Sequence, residues 1–174
     1  PRPMRVVVVH AGARDNYQVA SAFAEAALLE RLVTDLYSHS IAATRYGVHL
    51  ARQQITLCSG AAALFGPLRM TRNGTLQRIS DRCLGRKGRE VAFLCNAAVF
   101  ACSYYGFSAF RPGPKRPQHR LLFQIHPHPS SVRHTLTEEL LRRPQARESL
   151  NWEEEMRNSG HRMDELCQEP LLAT

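Results

Sequence analysis

The sequence contains no long apolar run, and this absence excludes a membrane-spanning helix. No stretch of the 174 residues reaches the roughly 18 to 20 consecutive apolar residues that cross a bilayer as a helix. Pro1 to His10 has neither the length nor the small-residue cleavage site of a secretory signal. We therefore expect a soluble, cytoplasmic domain whose only membrane contact would be peripheral, at the inner face.

Cysteines are few and poorly spaced for metal or disulfide chemistry. The five cysteines include no Cys-x-x-Cys pair, are odd in number, and mostly lie in apolar surroundings such as Phe93 to Cys102. Buried free thiols in a reducing compartment are therefore expected, rather than a zinc site or a disulfide framework. We accordingly expect no metal ligands.

Lysine is almost absent. Of the 23 lysines and arginines, only Lys87 and Lys115 are lysines. The net charge is +8, and the stretch Arg69 to Arg89 holds seven basic residues and one acid, Asp81. Such a stretch suits nucleic acid, an anionic membrane surface or a phosphorylated ligand. Because it contains no aromatic residue to stack on bases, nucleic acid is the least favoured of these partners.

Several catalytic signatures are also missing. The chain has no G-x-G-x-x-G fingerprint, no Gly-Lys-Ser/Thr phosphate loop and no G-x-S-x-G elbow, so P-loop and serine-hydrolase chemistry are not indicated. What is present is an ordinary globular composition, 44% hydrophobic and 22% charged. This composition and length predict one domain with a proper core.

The first forty residues predict a β-α-β unit. Arg5 to His10 is an uninterrupted β-branched run, typical of a strand buried on both faces of a parallel sheet. Asp15 and Gln18 fit a capping box, and an apolar helical face follows from Val19 to about Leu32. Leu32 to Tyr37 is then a plausible second strand.

Later segments continue the alternation. Ala97 to Cys102 predicts an interior strand, although a buried helix would have the same composition, and Leu121 to Ile125 predicts another. Ser130 is expected to cap a helix that reaches about Arg143. Helices are also expected within Val48 to Leu57 and Ala61 to Leu68. Together these elements predict a single α/β domain with a Rossmann-like, doubly wound parallel sheet.

Ligands of such sheets bind at the carboxyl ends of the strands, where the strand order reverses. That rule selects the loop from His10 to Tyr17 first. Gly12 permits close backbone approach there, and the following helix N-terminus would offer N–H groups to an anion. The alternative is a plain turn in which Arg14 and Asp15 cap the helix.

Two further loops follow predicted strands. Tyr104 and Tyr105 offer hydroxyls and aromatic faces to a sugar or a base, or else they pack in the core with a hydroxyl at the rim. His126 and His128, fixed by prolines, could supply a general base or hydrogen-bond donors. A metal pair or a structural role in the turn are the other interpretations of these histidines.

Three segments resemble the amino-terminal domain of bacterial family-4-type (group 1) glycosyltransferases. The first is Met4 to Tyr37, with Ala13-Arg14-Asp15-Asn16-Tyr17-Gln18-Val19. The others are Ser103 to Pro112 and Leu121 to Pro129, the last reading Leu-Leu-Phe-Gln-Ile-His-Pro-His-Pro. The resemblance covers most of the chain, apart from residues 41 to 90.

The resemblance implies half of a GT-B enzyme, in which two Rossmann-like domains face a cleft. The amino-terminal domain, here residues 1 to 174, would hold a sugar or lipid-linked acceptor. The nucleotide-sugar is a co-substrate that the carboxyl-terminal donor domain mainly binds, usually without a metal or another cofactor. The family's donor signature is two glutamates eight positions apart, and no such pair occurs here. We therefore expect the donor domain to be absent from this chain and the chain to be inactive alone.

The resemblance also assigns roles to residues of the three loops. His126 and His128 would face the reacting centre as the catalytic pair. The substrate-binding set consists of His10, Gly12, Arg14 and Asp15 at the cleft edge, with Tyr104 and Tyr105 on the acceptor side. The alternative function is a non-catalytic basic α/β module that binds nucleic acid or an anionic membrane surface.

Overall fold

The computed structural model of the protein describes residues 4–13, 15–71, 74–114, 117, 119–124, 129–147 and 161–173. Within these ranges the strands are β1 (Val6–Val9), β2 (Leu29–Thr34), β3 (Ile55–Leu57), β4 (Ala98–Cys102) and β5 (Arg120–Phe123). The helices are α1 (Gln18–Glu25), α2 (His39–Tyr46), α3 (Ser59–Thr71), α4 (Gly74–Leu94), α5 (Gly106–Phe110), α6 (Pro129–Arg142) and α7 (His161–Ala173). Short 3-10 turns occur at Arg52–Gln54 and Pro144–Ala146.

The described strands form one sheet in the order β3-β2-β1-β4-β5, and every neighbouring pair is parallel. The chain adds β2 and β3 on one side of β1 and then crosses over to add β4 and β5 on the other. The strand order therefore reverses between β1 and β4, which is the switch point of a doubly wound fold. The predicted Rossmann-like α/β domain is confirmed.

The core has two parts because helices cover both faces of the sheet. Val7 and Val9 face the larger part, which α3, α4 and α5 help to enclose, whereas Val6 and Val8 face α1 and α2. Successive side chains of a strand point to opposite faces, so a strand covered on both sides needs apolar residues at every position. All four valines of β1 are accordingly buried.

Helix α4 packs closely against β1 and α5 because two of its three glycines lie at these contacts. A Cβ on Gly88 would lie closer than 3.0 Å to the side chain of Val9. A Cβ on Gly85 would meet the carbonyl oxygen of Tyr105 and would lie 2.8 Å from the Cβ of Ser108. The two glycines therefore allow α4 to pack closely against the end of β1 and against the start of α5.

Several predicted boundaries are wrong. Helix α1 ends at Glu25 rather than near residue 32, because Ala27 adopts a left-handed conformation with φ +56° and its N–H donates to the carbonyl of Ala24. Strand β2 consequently covers residues 29–34 instead of 32–37. The helix expected within residues 48–57 is also wrong, since Arg52–Gln54 forms a 3-10 turn and β3 follows directly.

Other boundaries are close to the prediction. The helix expected over 61–68 lies within α3, and β4 begins one residue after the predicted start. Helix α6 begins at Pro129 rather than after a Ser130 cap, in keeping with the preference of proline for the first helical turn. The end predicted at Ile125 for the last strand lies outside the described residues. None of the described helices is both long and apolar enough to cross a membrane.

Candidate functional site

The candidate site lies between the loops after β1 and β4, and its first residue is His10, which directly follows β1. Its imidazole is buried, at 4% exposure, and its ring centroid lies 6.3 Å from that of Tyr105 in an edge-to-face arrangement. The Nδ1 atom lies 3.6 Å from Oδ1 of Asp15, and no hydrogen bond reaches it from the described residues. His10 therefore joins the β1 loop to the loop after β4 and keeps one ring nitrogen directed toward a carboxylate.

Asp15 caps α1, although not in the predicted way. The N–H of Tyr17 donates to Oδ1 at 2.9 Å, and the N–H of Val19 donates to Oδ2 at 3.2 Å. The predicted capping box with Gln18 is wrong, because Tyr17 is the N-cap residue and Gln18 is the first helical residue. Since the carboxylate already occupies this helix N-terminus, the loop presents negative charge rather than free donors for an anion.

The loop after β1 is tied to the end of the neighbouring strand β2. Gly12 adopts a left-handed conformation, with φ +53°, and its N–H donates to Oγ1 of Thr34 at 3.0 Å. Burial raises the pKa of Tyr17 to about 12, so its hydroxyl stays neutral and donates to the carbonyl of Leu36 at 3.1 Å. These bonds fix the backbone on which His10 and Asp15 are placed.

The second side of the site is the loop after β4. Tyr104 is half-buried and has a left-handed backbone, with φ +86°, whereas Tyr105 is buried under the crevice against His10. Ser103 is also buried, and its hydroxyl donates to the carbonyl of Phe123 at 3.4 Å. The side chain of Tyr104 is therefore the more accessible of the two, whereas Tyr105 packs against His10.

Sequence reasoning missed the residue that holds this loop. Glu169 on α7 is 2% exposed, and its two carboxylate oxygens accept the N–H groups of Tyr104 at 3.2 Å and Phe107 at 3.0 Å. A Cβ on Gly106 would lie 3.1 Å from Cδ of Glu169, so the contact needs a glycine at that position. No local pattern reveals this bond, because its partners lie 62 and 65 residues apart in sequence.

A second acid of α7 is held by two arginines of α4. Arg78 Nη2 donates to Glu165 Oε1 at 2.6 Å, and Arg82 donates to the same oxygen. Burial alone would raise the pKa of Glu165, but the hydrogen bonds and charges of the two guanidinium groups outweigh it and lower that pKa. A small pocket of about 10 Å³ lies between these helices, lined by Arg78, Asp81, Tyr104, Glu165, Leu166 and Glu169.

The structure thus brings together His10, Asp15 and Tyr105, with Gly12 shaping the loop between the first two, whereas Tyr104 lines the neighbouring pocket between α4 and α7. Arg14, His126 and His128 lie outside the described residues. Across the described ranges, no group of three or more His, Cys, Asp or Glu side chains could hold a metal ion.

Fold and site together define a Rossmann-like α/β domain with a crevice at its switch point. In such a fold the crevice lies at the switch point, here between the loops after β1 and β4, where His10 contacts Tyr105 and approaches Asp15. No protein-family model, curated protein or solved structure matches the chain.

Proposed function

We propose that this chain is the acceptor-binding, amino-terminal domain of a glycosyltransferase of the GT-B type. The observation that carries the proposal is the meeting of the β1 and β4 loops at the point of strand-order reversal, where His10 and Tyr105 are in ring contact. Such a crevice is where doubly wound domains bind their ligands. The resemblance of the same loops to group 1 glycosyltransferases supplies the type of reaction.

The polarity of the crevice favours a hydroxylated ligand over a phosphate. Asp15 occupies the N-terminus of α1, and a carboxylate repels a second anion while accepting hydrogen bonds from hydroxyl groups. The imidazole of His10 can donate or accept at each nitrogen, and Tyr104 adds an aromatic face. A sugar hydroxyl fits this set of partners, and the diphosphate of a nucleotide-sugar does not.

A preference of this domain for a sugar hydroxyl over a diphosphate agrees with an enzyme in which a second domain binds the nucleotide-sugar. The donor domain would bind the nucleotide-sugar, and this domain would align an acceptor hydroxyl with the anomeric carbon while excluding water. His126 and His128 would act at the reacting centre, and positive groups with helix N-termini would stabilise the departing nucleotide diphosphate. The domain alone would bind an acceptor without transferring sugar to it.

Replacement of His10 tests the proposal on the chain itself. We expect saturation-transfer NMR with a panel of methyl glycosides and short oligosaccharides to detect binding by the wild-type chain. His10→Ala should weaken that binding at least about tenfold, equivalent to about 1.4 kcal/mol, because it removes a hydrogen-bonding group from the crevice. His49→Ala is the matched control, since His49 is exposed and precedes the 3-10 turn at Arg52–Gln54; it should leave the affinity unchanged.

Thermal unfolding of each variant separates loss of the fold from loss of the site. If His10→Ala does not fold, Tyr104→Phe removes a hydroxyl from the half-buried tyrosine and should weaken binding about threefold or more. Equal affinity in the wild-type chain and in the folded crevice variants would contradict the proposal, as would the absence of binding to every saccharide tested.

A second candidate function, contact with an anionic membrane surface, is favoured by the hairpin of α3 and α4. These helices expose the apolar side chains of Phe65, Met70 and Ile79, with Met70 at 87% exposure. Arg82 and Arg86 are exposed on the same hairpin. Apolar side chains beside cations suit the interface of a bilayer with anionic headgroups, where each basic residue contributes about 1 kcal/mol.

Vesicle sedimentation tests this surface. We expect the chain to co-sediment with vesicles that contain phosphatidylglycerol and not with pure phosphatidylcholine, and the bound fraction should fall as salt is raised. Met70→Glu should reduce binding about fivefold or more, because it places a charge against the headgroups. Leu141→Glu on α6, at a position 83% exposed, is the matched control and should have no effect. Equal binding by both variants would contradict this candidate.

A further inference from the structure

A groove separate from the crevice runs along α4 where this helix passes the start of α3. Its volume is about 400 Å³. Two of the five cysteines line it, and three basic side chains outnumber one carboxylate. The lining residues are Cys58, Gly60, Cys83, Arg86, Lys87, Arg89 and Glu90.

The two thiols line the groove where the start of α3 lies against α4. Cys58 is the residue before α3, and the backbone N–H groups of Gly60 and Ala61 are hydrogen-bonded to its sulfur. Cys83 is in the middle of α4, and its Sγ lies 3.4 Å from the point that a Cβ on Gly60 would occupy. Because Gly60 has no side chain, Cys83 packs closely against the backbone two residues after Cys58, and the electrostatic interaction of the two thiols places them near each other.

The two thiols differ in their readiness to react. Cys83 is half-buried, so its thiol is accessible from the groove, and Arg86 and Lys87 follow it by three and four residues on the same side of α4. Cys58 is buried, and burial together with the nearby Cys83 raises the pKa of its thiol. Cys83 is therefore the thiol that attacks first, and Cys58 is the one that resolves the product.

We propose that Cys58 and Cys83 form a redox-active dithiol that a small, anionic disulfide oxidises to an intramolecular disulfide. The thiolate of Cys83 attacks one sulfur of the oxidant, forms a mixed disulfide and releases the first low-molecular-weight thiolate. Cys58 then loses its proton and attacks the Cys83 sulfur, which releases the second thiolate. The protein loses two protons and two electrons, and the oxidant becomes two thiols.

The charge of the groove selects the class of oxidant. Arg86, Lys87 and Arg89 give it a net positive lining even though Lys87 also bonds Glu90 at 3.2 Å. An oxidant with carboxylates, such as glutathione disulfide, is therefore attracted to it. Cys102 provides an internal reference, because burial raises the pKa of its thiol to about 12 and leaves it unreactive.

The experiment treats the folded chain with glutathione disulfide, blocks the remaining thiols by alkylation, and maps the products by mass spectrometry without reduction. We expect a Cys58–Cys83 cross-link as the main product, with Cys102 alkylated. Cys58→Ser should stop at a glutathione adduct on Cys83. Cys83→Ser should slow modification of Cys58 at least about tenfold, because its thiol is buried and mostly protonated. Cys95→Ser is the control and should leave the cross-link unchanged.

The same reaction in urea distinguishes a property of the fold from generic thiol chemistry. The preference for the Cys58–Cys83 pair should disappear when the chain is unfolded. A wild-type product that remains a mixed disulfide, a cross-link to another cysteine, or equal rates for Cys83→Ser and wild type would overturn the proposal.

Discussion

Gly85→Ala is expected to destabilise the fold by about 3 kcal/mol, because a methyl group at this position has no space. The new Cβ would meet the carbonyl oxygen of Tyr105 and would lie 3.0 Å from the backbone nitrogen of Ala109. Both are backbone atoms at the start and within α5, so they cannot rotate away as a flexible side chain would. Relief requires α4 to move off α5, which opens the core around the buried Leu84.

Urea denaturation followed by circular dichroism measures this effect. Gly74→Ala is the matched control, because Gly74 is exposed at the start of the same helix and no heavy atom other than its chain neighbours lies within 4 Å of its Cβ position. That change should alter the stability by less than about 1 kcal/mol. Only Gly85→Ala should therefore lower the midpoint strongly. If the two substitutions lower it equally, the close packing of α4 on α5 is incorrect.

The elements that were predictable from the sequence are those whose burial alone determines their residues. Val6–Val9 and Ala98–Cys102 lie side by side in the middle of the sheet, with helices on both faces. Only apolar residues fit such strands, so their composition marked both as buried segments, although for Ala98–Cys102 it did not exclude a buried helix. The β-α-β order of the first forty residues followed from the same signal.

The elements that were missed depend on neighbours rather than on local composition. Leu29–Arg31 have good helical propensity, yet they pair with β1 because Ala27 reverses the chain in a conformation that usually requires glycine. Strand β3 has three residues of incomplete burial, and it exists because it pairs with β2 at the sheet edge. Tertiary contacts determine both segments, and a single sequence does not report them.

The site was predictable to the same limited degree. The rule that ligands bind at the carboxyl ends of strands placed His10 and Tyr104 on one edge, and the structure puts their loops side by side. The expectation of free donors at α1 was wrong, because Asp15 caps the helix that it precedes. The role of Glu169 could not be predicted from the sequence, since neither spacing nor composition connects α7 with the loop after β4.

Glu169→Ala is expected to lower the free energy of unfolding by about 3 kcal/mol, because two partly buried backbone donors would lose a charged acceptor. These donors are the N–H groups of Tyr104 and Phe107, at the start of α5. Each bond to a charged group contributes about 1.5 to 3 kcal/mol, and an unpaired buried donor adds its own cost. The loop that carries Tyr104 should lose its fixed position along with the stability.

The control is Glu138→Ala on α6. The carboxylate of Glu138 is exposed, and among the described residues its only ion pair is with His134, one turn earlier in the helix. It should change stability by less than about 0.5 kcal/mol. Glu169→Gln should be intermediate, because an amide offers one carbonyl oxygen to the first N–H and places its own donors against the second.

Amide hydrogen exchange decides whether the loss lies where the structure places it. In Glu169→Ala the N–H groups of Tyr104 and Phe107 should exchange faster than in the wild-type chain, by more than the global destabilisation accounts for. Uniform acceleration over the whole chain would make Glu169 a general stabiliser. Local acceleration would identify α7 as the element that holds the loop after β4, so that the proposed acceptor binding would depend on a helix some sixty residues downstream.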